Sequence, residues 1–316
     1  MFSIKRFCLV LASAGALNIS RSVEAGLLDS ANARYNDGRI VEAISLYRKA
    51  ALSGENPALC YFNMANAYFQ IDSVPQSIVY YKASIGYAPD FFRAHLNIAI
   101  AYYSLDDVGE CIAHIHRALE LEPADEKALL ISAAAYRRAG ANPEAVATFE
   151  QLVQLYPDND DAYVALAEIF RELNDTEQAT AWLVRYPRGG KNENYVNIML
   201  ADMFEERGDY TRAIYHLKTA FEKDKNAKWV YYRMVALYEK EGNSLVALEM
   251  AQNGLELMPQ FAELALLAGN IAFEQGRLDT AERLYQQARD NGSAGAVVGL
   301  ENIRIVRAEN AAAMTW

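Results

Sequence analysis

Cysteine, proline and glycine are all scarce in this sequence, at 3, 8 and 17 of 316 residues. So few helix breakers exclude a loop-rich fold and favour long helical stretches. So few thiols exclude a disulfide framework. Histidine is rarer than either breaker, with only His95, His114, His116 and His216. His114 and His116 stand two apart, which on a helix points them about 200° from one another, so they do not readily share an ion. Basic charge is also short, with 30 Lys and Arg against 41 Asp and Glu and a net charge of −11. That balance excludes a phosphate-neutralising surface, and with it a nucleic-acid partner. It equally excludes docking on anionic lipid through a basic face. No strands are expected, so no glycine-rich loop can follow one to cradle a phosphate or dinucleotide. No nucleophile–base pair sits in a segment that departs from the pattern described below. No catalytic residue, metal ligand or cofactor is therefore expected, and the chain is not expected to be an enzyme.

What is present describes an ordered protein, with 52% hydrophobic and 22% charged residues. At the N-terminus Lys5 and Arg6 precede an apolar run from Phe7 to Leu17, then a polar stretch ending Ser22-Val23-Glu24-Ala25-Gly26. A basic head, an apolar core of about eleven residues, and small residues at Val23 and Ala25 match a signal peptide cut after Ala25. About eleven apolar residues fall short of the ~20 that span a bilayer. Cys8 opens the apolar run instead of closing it, which argues against lipoprotein processing. The expectation is an exported protein, periplasmic or secreted, with residues 1–25 removed and no transmembrane segment left. Cys60 and Cys111 then remain, in different helices of different repeats, and are expected as free, buried thiols.

Internal repetition is the dominant signal. Three segments align: NMANAYFQIDSVPQSIVYYKASIGYAPD from Asn63, NIAIAYYSLDDVGECIAHIHRALELEPAD from Asn97 and ISAAAYRRAGANPEAVATFEQLVQLYPDN from Ile131. Pro89, Pro123 and Pro157 set a spacing of 34. The frame extends both ways without insertion, into units beginning at Glu24, Ala58, Phe92, Glu126, Asp160, Asn194, Lys228 and Ala262. Numbering each unit 1 to 34, slot 20 is small in all eight units: Ala43, Ser77, Cys111, Ala145, Ala179, Ala213, Ala247 and Ala281. Slot 8 holds Ala31, Ala65, Ala99, Ala133, Ala167, Ala201, Val235 and Gly269. Slot 15 holds only Gly, Asp or Asn, residues that tolerate the left-handed backbone that ends a helix. Slot 11 is aromatic in six units. Apolar residues at three- and four-residue spacing flank each slot 15, so each unit reads as two amphipathic helices. Small residues at slots 8 and 20 let those helices approach closely.

This pattern resembles the tetratricopeptide repeat, whose signature runs through slots 4, 7, 8, 11, 20, 24, 27 and 32. The resemblance covers roughly residues 24 to 292. It implies an all-α, right-handed superhelical solenoid of about eight helix-turn-helix units over 26–292, followed by a capping helix and tail over 293–316. Val297, Val298, Leu300, Ile303 and Ile305 are expected to cover the last unit, and residues 311–316 to be loose. Unit 5 departs from the frame: Pro187 and the glycines after it suggest either a hinge over 187–194 or a longer loop with Tyr186 in slot 27. One unit, around NPALCYFNMANAYFQ, also resembles repeats of exported bacterial proteins of aerotolerance operons.

The family resemblance implies a partner-binding concave face made by slots 2, 5, 6, 9, 12 and 13 of each first helix. In units 1 to 3 these include Asn32, Tyr35, Phe62, Asn63, Asn66, Phe69, Arg93, Asn97, Ile100 and Tyr103. Exposed rings beside amides suit an extended peptide or another protein. Asn63 and Asn97 are similar to the asparagine ladder of some family members, or else bond only within their own hairpins. Lys127, Arg137 and Arg138 form an expected basic collar, followed by an acidic stretch with Asp161, Glu168, Glu172, Asp202, Glu205, Glu206 and Glu239. Slot 5 is Leu28, Phe62, Leu96 and Leu130, never basic, so the family's carboxylate clamp for chaperone tails is absent. The function implied is a non-catalytic scaffold of the cell envelope. Two alternatives stand beside it: a fixed subunit of an outer-membrane secretion, pilus or polysaccharide-export machine, and a periplasmic polypeptide carrier.

Overall fold

The computed structural model describes residues 26–313, so the expected signal segment and the last three residues lie outside it. Among the described residues there are seventeen α-helices and no strand. Sixteen of them form eight hairpins. The first four are α1 (Leu27–Asn36) with α2 (Ile40–Leu52), α3 (Pro57–Gln70) with α4 (Val74–Tyr87), α5 (Phe92–Ser104) with α6 (Val108–Leu121), and α7 (Glu126–Arg138) with α8 (Asn142–Leu155). Next come α9 (Asp160–Glu172) with α10 (Thr176–Val184), and α11 (Glu193–Glu206) with α12 (Tyr210–Lys223). The last two are α13 (Lys228–Lys240) with α14 (Ser244–Leu257), and α15 (Ala262–Glu274) with α16 (Leu278–Asp290). A single helix, α17 (Gly295–Ala313), ends the series. Each hairpin's second helix starts 34 residues after the previous one, from Ile40 to Leu278. The repeat frame is the physical frame.

One closure is repeated at every hairpin turn. All eight slot-15 residues are left-handed, with φ from 59° at Asn174 to 84° at Gly242. The next N–H donates back to the slot-11 carbonyl every time, as in Ser73 to Tyr68, Asp107 to Tyr102 and Arg277 to Ala272, at 2.8–3.0 Å. This six-to-one bond satisfies a carbonyl that the helix end would otherwise orphan. Asp107, Asp175 and Asp209 then cap the second helices by accepting from the N–H three residues on. All eight slot-20 side chains are 0% exposed, and slot 8 is equally closed, so the close approach of paired helices depends on small residues. At slot 8 of the last hairpin even a methyl is excluded: a Cβ on Gly269 would lie 2.6 Å from the Tyr285 ring.

The exceptions have local causes. Unit 1 carries Glu55 where units 2, 3, 4 and 7 have proline. Its carboxylate accepts from the Leu28 N–H at 3.3 Å, placing negative charge at the N-terminus of α1. In unit 5, α10 has nine residues against thirteen or fourteen in the other second helices. The loop that follows is fastened by Tyr186, which is buried and accepts a hydrogen bond from the Asn192 N–H at 2.8 Å. Helix α17 corrects the expected cap. Only Ile303 of the five aliphatics is buried, Leu300 is half-buried, and Val297, Val298 and Ile305 are exposed. Here Ala296 and Gly299 face inward instead, because Tyr285 occupies the space against which a side chain at 299 would lie. The helix also runs through Ala313, with residues 311–313 helical and exposed. Cys60 and Cys111 are both buried, and neither is in a disulfide. Burial, reinforced by Glu55, pushes the Cys60 thiol up to about 11.

The chain divides into two compact units at Ile169/Phe170. The boundary falls within α9, so α1–α8 lie in the first unit and α10–α17 in the second.

Candidate functional site

In the first unit, amides link three first helices. Asn32 Oδ1 on α1 accepts from Asn63 Nδ2 on α3 at 3.1 Å, and from the Tyr47 hydroxyl at 2.8 Å. One repeat on, Asn66 Oδ1 accepts from Asn97 Nδ2 on α5 at 2.9 Å, and from the Tyr81 hydroxyl. Asn63 and Asn66 are three apart on α3, hence on one face, so the four amides form a continuous row. Both tyrosines are buried, and burial raises their hydroxyl pKa values far above the usual range, so they act as fixed neutral donors. All four asparagines are half-buried. Each amide nitrogen has two N–H groups and each carbonyl two lone pairs. The bonds described spend one N–H of Asn63, while the amide plane is held still. The asparagines thus reach across hairpins, and not only within their own.

The other expected residues divide. Tyr35 and Phe69 are half-buried beside the row, and Arg93 is exposed. Phe62, Ile100 and Tyr103 are corrections: they are 8%, 4% and 5% exposed and belong to the core. The Phe62 ring packs 4.8 Å from Phe91 and 5.8 Å from Tyr81, filling space that the neighbouring alanines leave. Tyr103 lies under the Arg138 guanidinium, 3.8 Å from its ring centre. Two of the three residues of the expected basic collar are a second correction, while Lys127 is exposed. Arg137 pairs with Glu168 at 2.8 Å, and Arg138 with Asp106 at 3.2 Å and the Tyr103 carbonyl at 2.9 Å. Both guanidiniums are thus tied to residues of neighbouring repeats.

The second unit uses the same register with different chemistry. Arg233 on α13, at slot 6, bonds Asp202 on α11, at slot 9, at 2.7 Å, and Glu205 at 2.9 Å. Lys240 adds a bond to Glu205 at 2.7 Å. Burial raises the Glu205 pKa, but bonds and charges from Lys240 and Arg233 outweigh it and hold the carboxyl below its usual range. Trp229, four residues before Arg233, is 52% exposed and packs edge-on against Tyr232 and Phe261.

Sequence reasoning missed Tyr47, Tyr81, Arg233 and Trp229. One signal was available for the tyrosines: asparagine occupies slot 9 only in units whose slot 24 is tyrosine. Those pairs are Asn32 with Tyr47, Asn66 with Tyr81, and Asn270 with Tyr285, the last bonded at 2.9 Å.

Models of the tetratricopeptide repeat match residues 136–202, and residues 107–160 and 232–296, together just over half of the chain. The chain belongs to the tetratricopeptide repeat (TPR) family. TPR proteins of known structure resemble it. One from Parabacteroides merdae is 14% identical, with a TM-score of 0.49, over 78% of this chain and 98% of that one. YrrB, described as a TPR protein with an unusual peptide-binding site, is 20% identical, with a TM-score of 0.46, over 60% of this chain and 95% of its own. The pilF protein of Pseudomonas aeruginosa is 16% identical, with a TM-score of 0.48, over 64% of this chain and 92% of its own. No curated protein sequence matches. Among the described residues no helix is long and apolar enough to cross a membrane, and no three His, Cys, Asp or Glu side chains are grouped to hold a metal ion. TPR architecture supports a protein–protein interaction scaffold.

Proposed function

We propose that this chain is an exported, non-catalytic scaffold of the cell envelope that holds extended segments of partner proteins along the amide row of its first unit. The observation that supports this is the row itself: Asn32, Asn63, Asn66 and Asn97, linked side by side, with Tyr35 and Phe69 half-buried beside them. An extended peptide presents alternating N–H and C=O groups, and amides with unspent capacity can satisfy both kinds. The rings add apolar contact at little entropic cost. A preformed row also loses little freedom on binding, which favours affinity.

The test uses the chain purified from its exporting host, with a photo-crosslinking residue at position 35 or 69. The expected result is a few discrete envelope partners, crosslinked from both positions and lost in the Asn63→Ala/Asn97→Ala variant. Stoichiometric capture of one membrane complex would favour the assembly-subunit role, and a broad spread of clients the carrier role. Crosslinking that ignores the double substitution moves the site elsewhere. Intact mass of the same material shows separately whether residues 1–25 are gone.

A further inference from the structure

Hairpin α5–α6 contains a pair of imidazoles whose proton count follows from geometry. His95 is 7% exposed, and its Nε2 lies 2.9 Å from the Pro89 carbonyl oxygen. A carbonyl only accepts, so that nitrogen carries a hydrogen, and in the neutral ring Nδ1 is then bare. His114 Nδ1 sits 3.3 Å from this bare nitrogen and must be the donor. The neutral His114 ring is therefore bare at Nε2. That nitrogen faces the Glu110 carboxylate at 3.9 Å, two acceptors with no hydrogen between them.

The pair has room for one more proton and not for two. The first goes to His114 Nε2, where Glu110 receives it, and the bond between the rings survives. A second would place N–H against N–H at 3.3 Å between two cations, and the rings must part. We infer that His95 and His114 form an acid-operated latch, which holds α5 to α6 when neutral or singly protonated and releases them when doubly protonated. The groups that face the pair are Lys82 from α4, Tyr102 from α5 and Glu110 from α6. Tyr102 stacks on His114 with ring centres 5.9 Å apart, and the Lys82 ammonium lies 5.2 Å above Tyr102. Asp90 and Arg117, paired with each other, flank the Pro89 loop. Burial, His95 and Lys82 all lower the His114 pKa and Glu110 raises it, with a net lowering, so even the first step needs acid. Release has a consequence for the amide row, because Asn97 lies two residues beyond His95 on the same helix.

Two measurements on the full mature chain test the latch, and neither needs a partner. Nitrogen NMR of the imidazoles at pH 8 should find His95 protonated at Nε2 and His114 at Nδ1; two rings both bare at Nδ1 would overturn the proposal. Hydrogen exchange, corrected for its intrinsic pH dependence, reads local opening of α5–α6. Opening coupled to two protons grows about 100-fold per pH unit, against about tenfold for one. The expected slope in acid exceeds tenfold per unit for α5–α6, and exceeds that of α13–α14, which contains no histidine. His95→Gln or His114→Gln should bring it to tenfold or less. Equal slopes in the two hairpins, or a slope indifferent to both substitutions, would sink the latch. If a variant does not fold, the tautomers and the slopes of the unsubstituted chain still decide.

Discussion

The first and second units join their successive first helices through one register and two chemistries. Slot 9 of one hairpin meets slot 6 of the next in Asn32–Asn63 and Asn66–Asn97, and again in Asp202–Arg233. The register belongs to the stacking of hairpins, so it persists whatever residues occupy it. The chemistry decides what remains for a ligand. The asparagines keep donors and acceptors in reserve, among them the second N–H of Asn63, while Arg233 is already matched by two carboxylates. The units also differ in charge, with 10 basic and 19 acidic residues over 26–169 and 17 and 21 over 170–313. The more acidic unit carries the neutral row, so a partner segment there meets dipoles at the contact and a negative field around it.

Substitutions and solution conditions can break or sharpen that contrast. The largest effect is expected from Asn66→Ala, which removes the acceptor of both the buried Tyr81 hydroxyl and Asn97 Nδ2 and leaves those two bonded only to each other, at 3.2 Å. A loss of about 2–3 kcal/mol should appear in urea denaturation. Asn63→Ala strands no buried hydroxyl and should cost under about 1 kcal/mol; equal losses would mean that the tyrosine anchor is irrelevant. Next in size is Arg233→Ala, at about 1–2 kcal/mol. Its partners are 36% and 25% exposed, so water recovers part of the loss. Arg233→Lys should restore only some of it, since one ammonium replaces a two-pronged donor.

A smaller effect distinguishes the units by pH. Glu205 has a lowered folded-state pKa, so its stabilisation is fully present above the ordinary glutamate value and is lost as pH falls through that value toward the folded one. Acid exchange of α11 and α13 amides should register this, and Glu205→Gln should flatten it. The amide row contributes nothing in that window. The smallest effect is that of salt. Raising ionic strength from 0.1 to 1 M shortens the screening length from about 10 to 3 Å. That should cost the Arg233 cluster a few tenths of a kcal/mol and leave the row of asparagines unchanged. A row that weakened with salt would be electrostatic in a way its geometry does not show.

The candidate site was partly legible beforehand. Asn32, Asn63, Asn66 and Asn97 stand at slots that the family uses for partners, and the structure brings them together. Phe62 and Tyr103 occupy such slots too and are buried, because a ring beside alanines fills the core whenever the next helix leaves room. Arg137 and Arg138 read as free charge in a one-dimensional pattern. Their partners, Glu168 and Asp106, lie about one repeat away along the chain, which is the interval that composition and local spacing do not report.

Period, hairpin count and turn closure were determined by the amino-acid order alone, since each depends on residues within one helical turn or one tight bend. A left-handed residue at slot 15 and a small one at slots 8 and 20 act on neighbours already at hand. Tertiary structure alone decided which amide meets which, which rings are swallowed, and that two imidazoles share a hydrogen. Those outcomes depend on the space and lone pairs that helices distant in sequence present to one another, and only packing creates them.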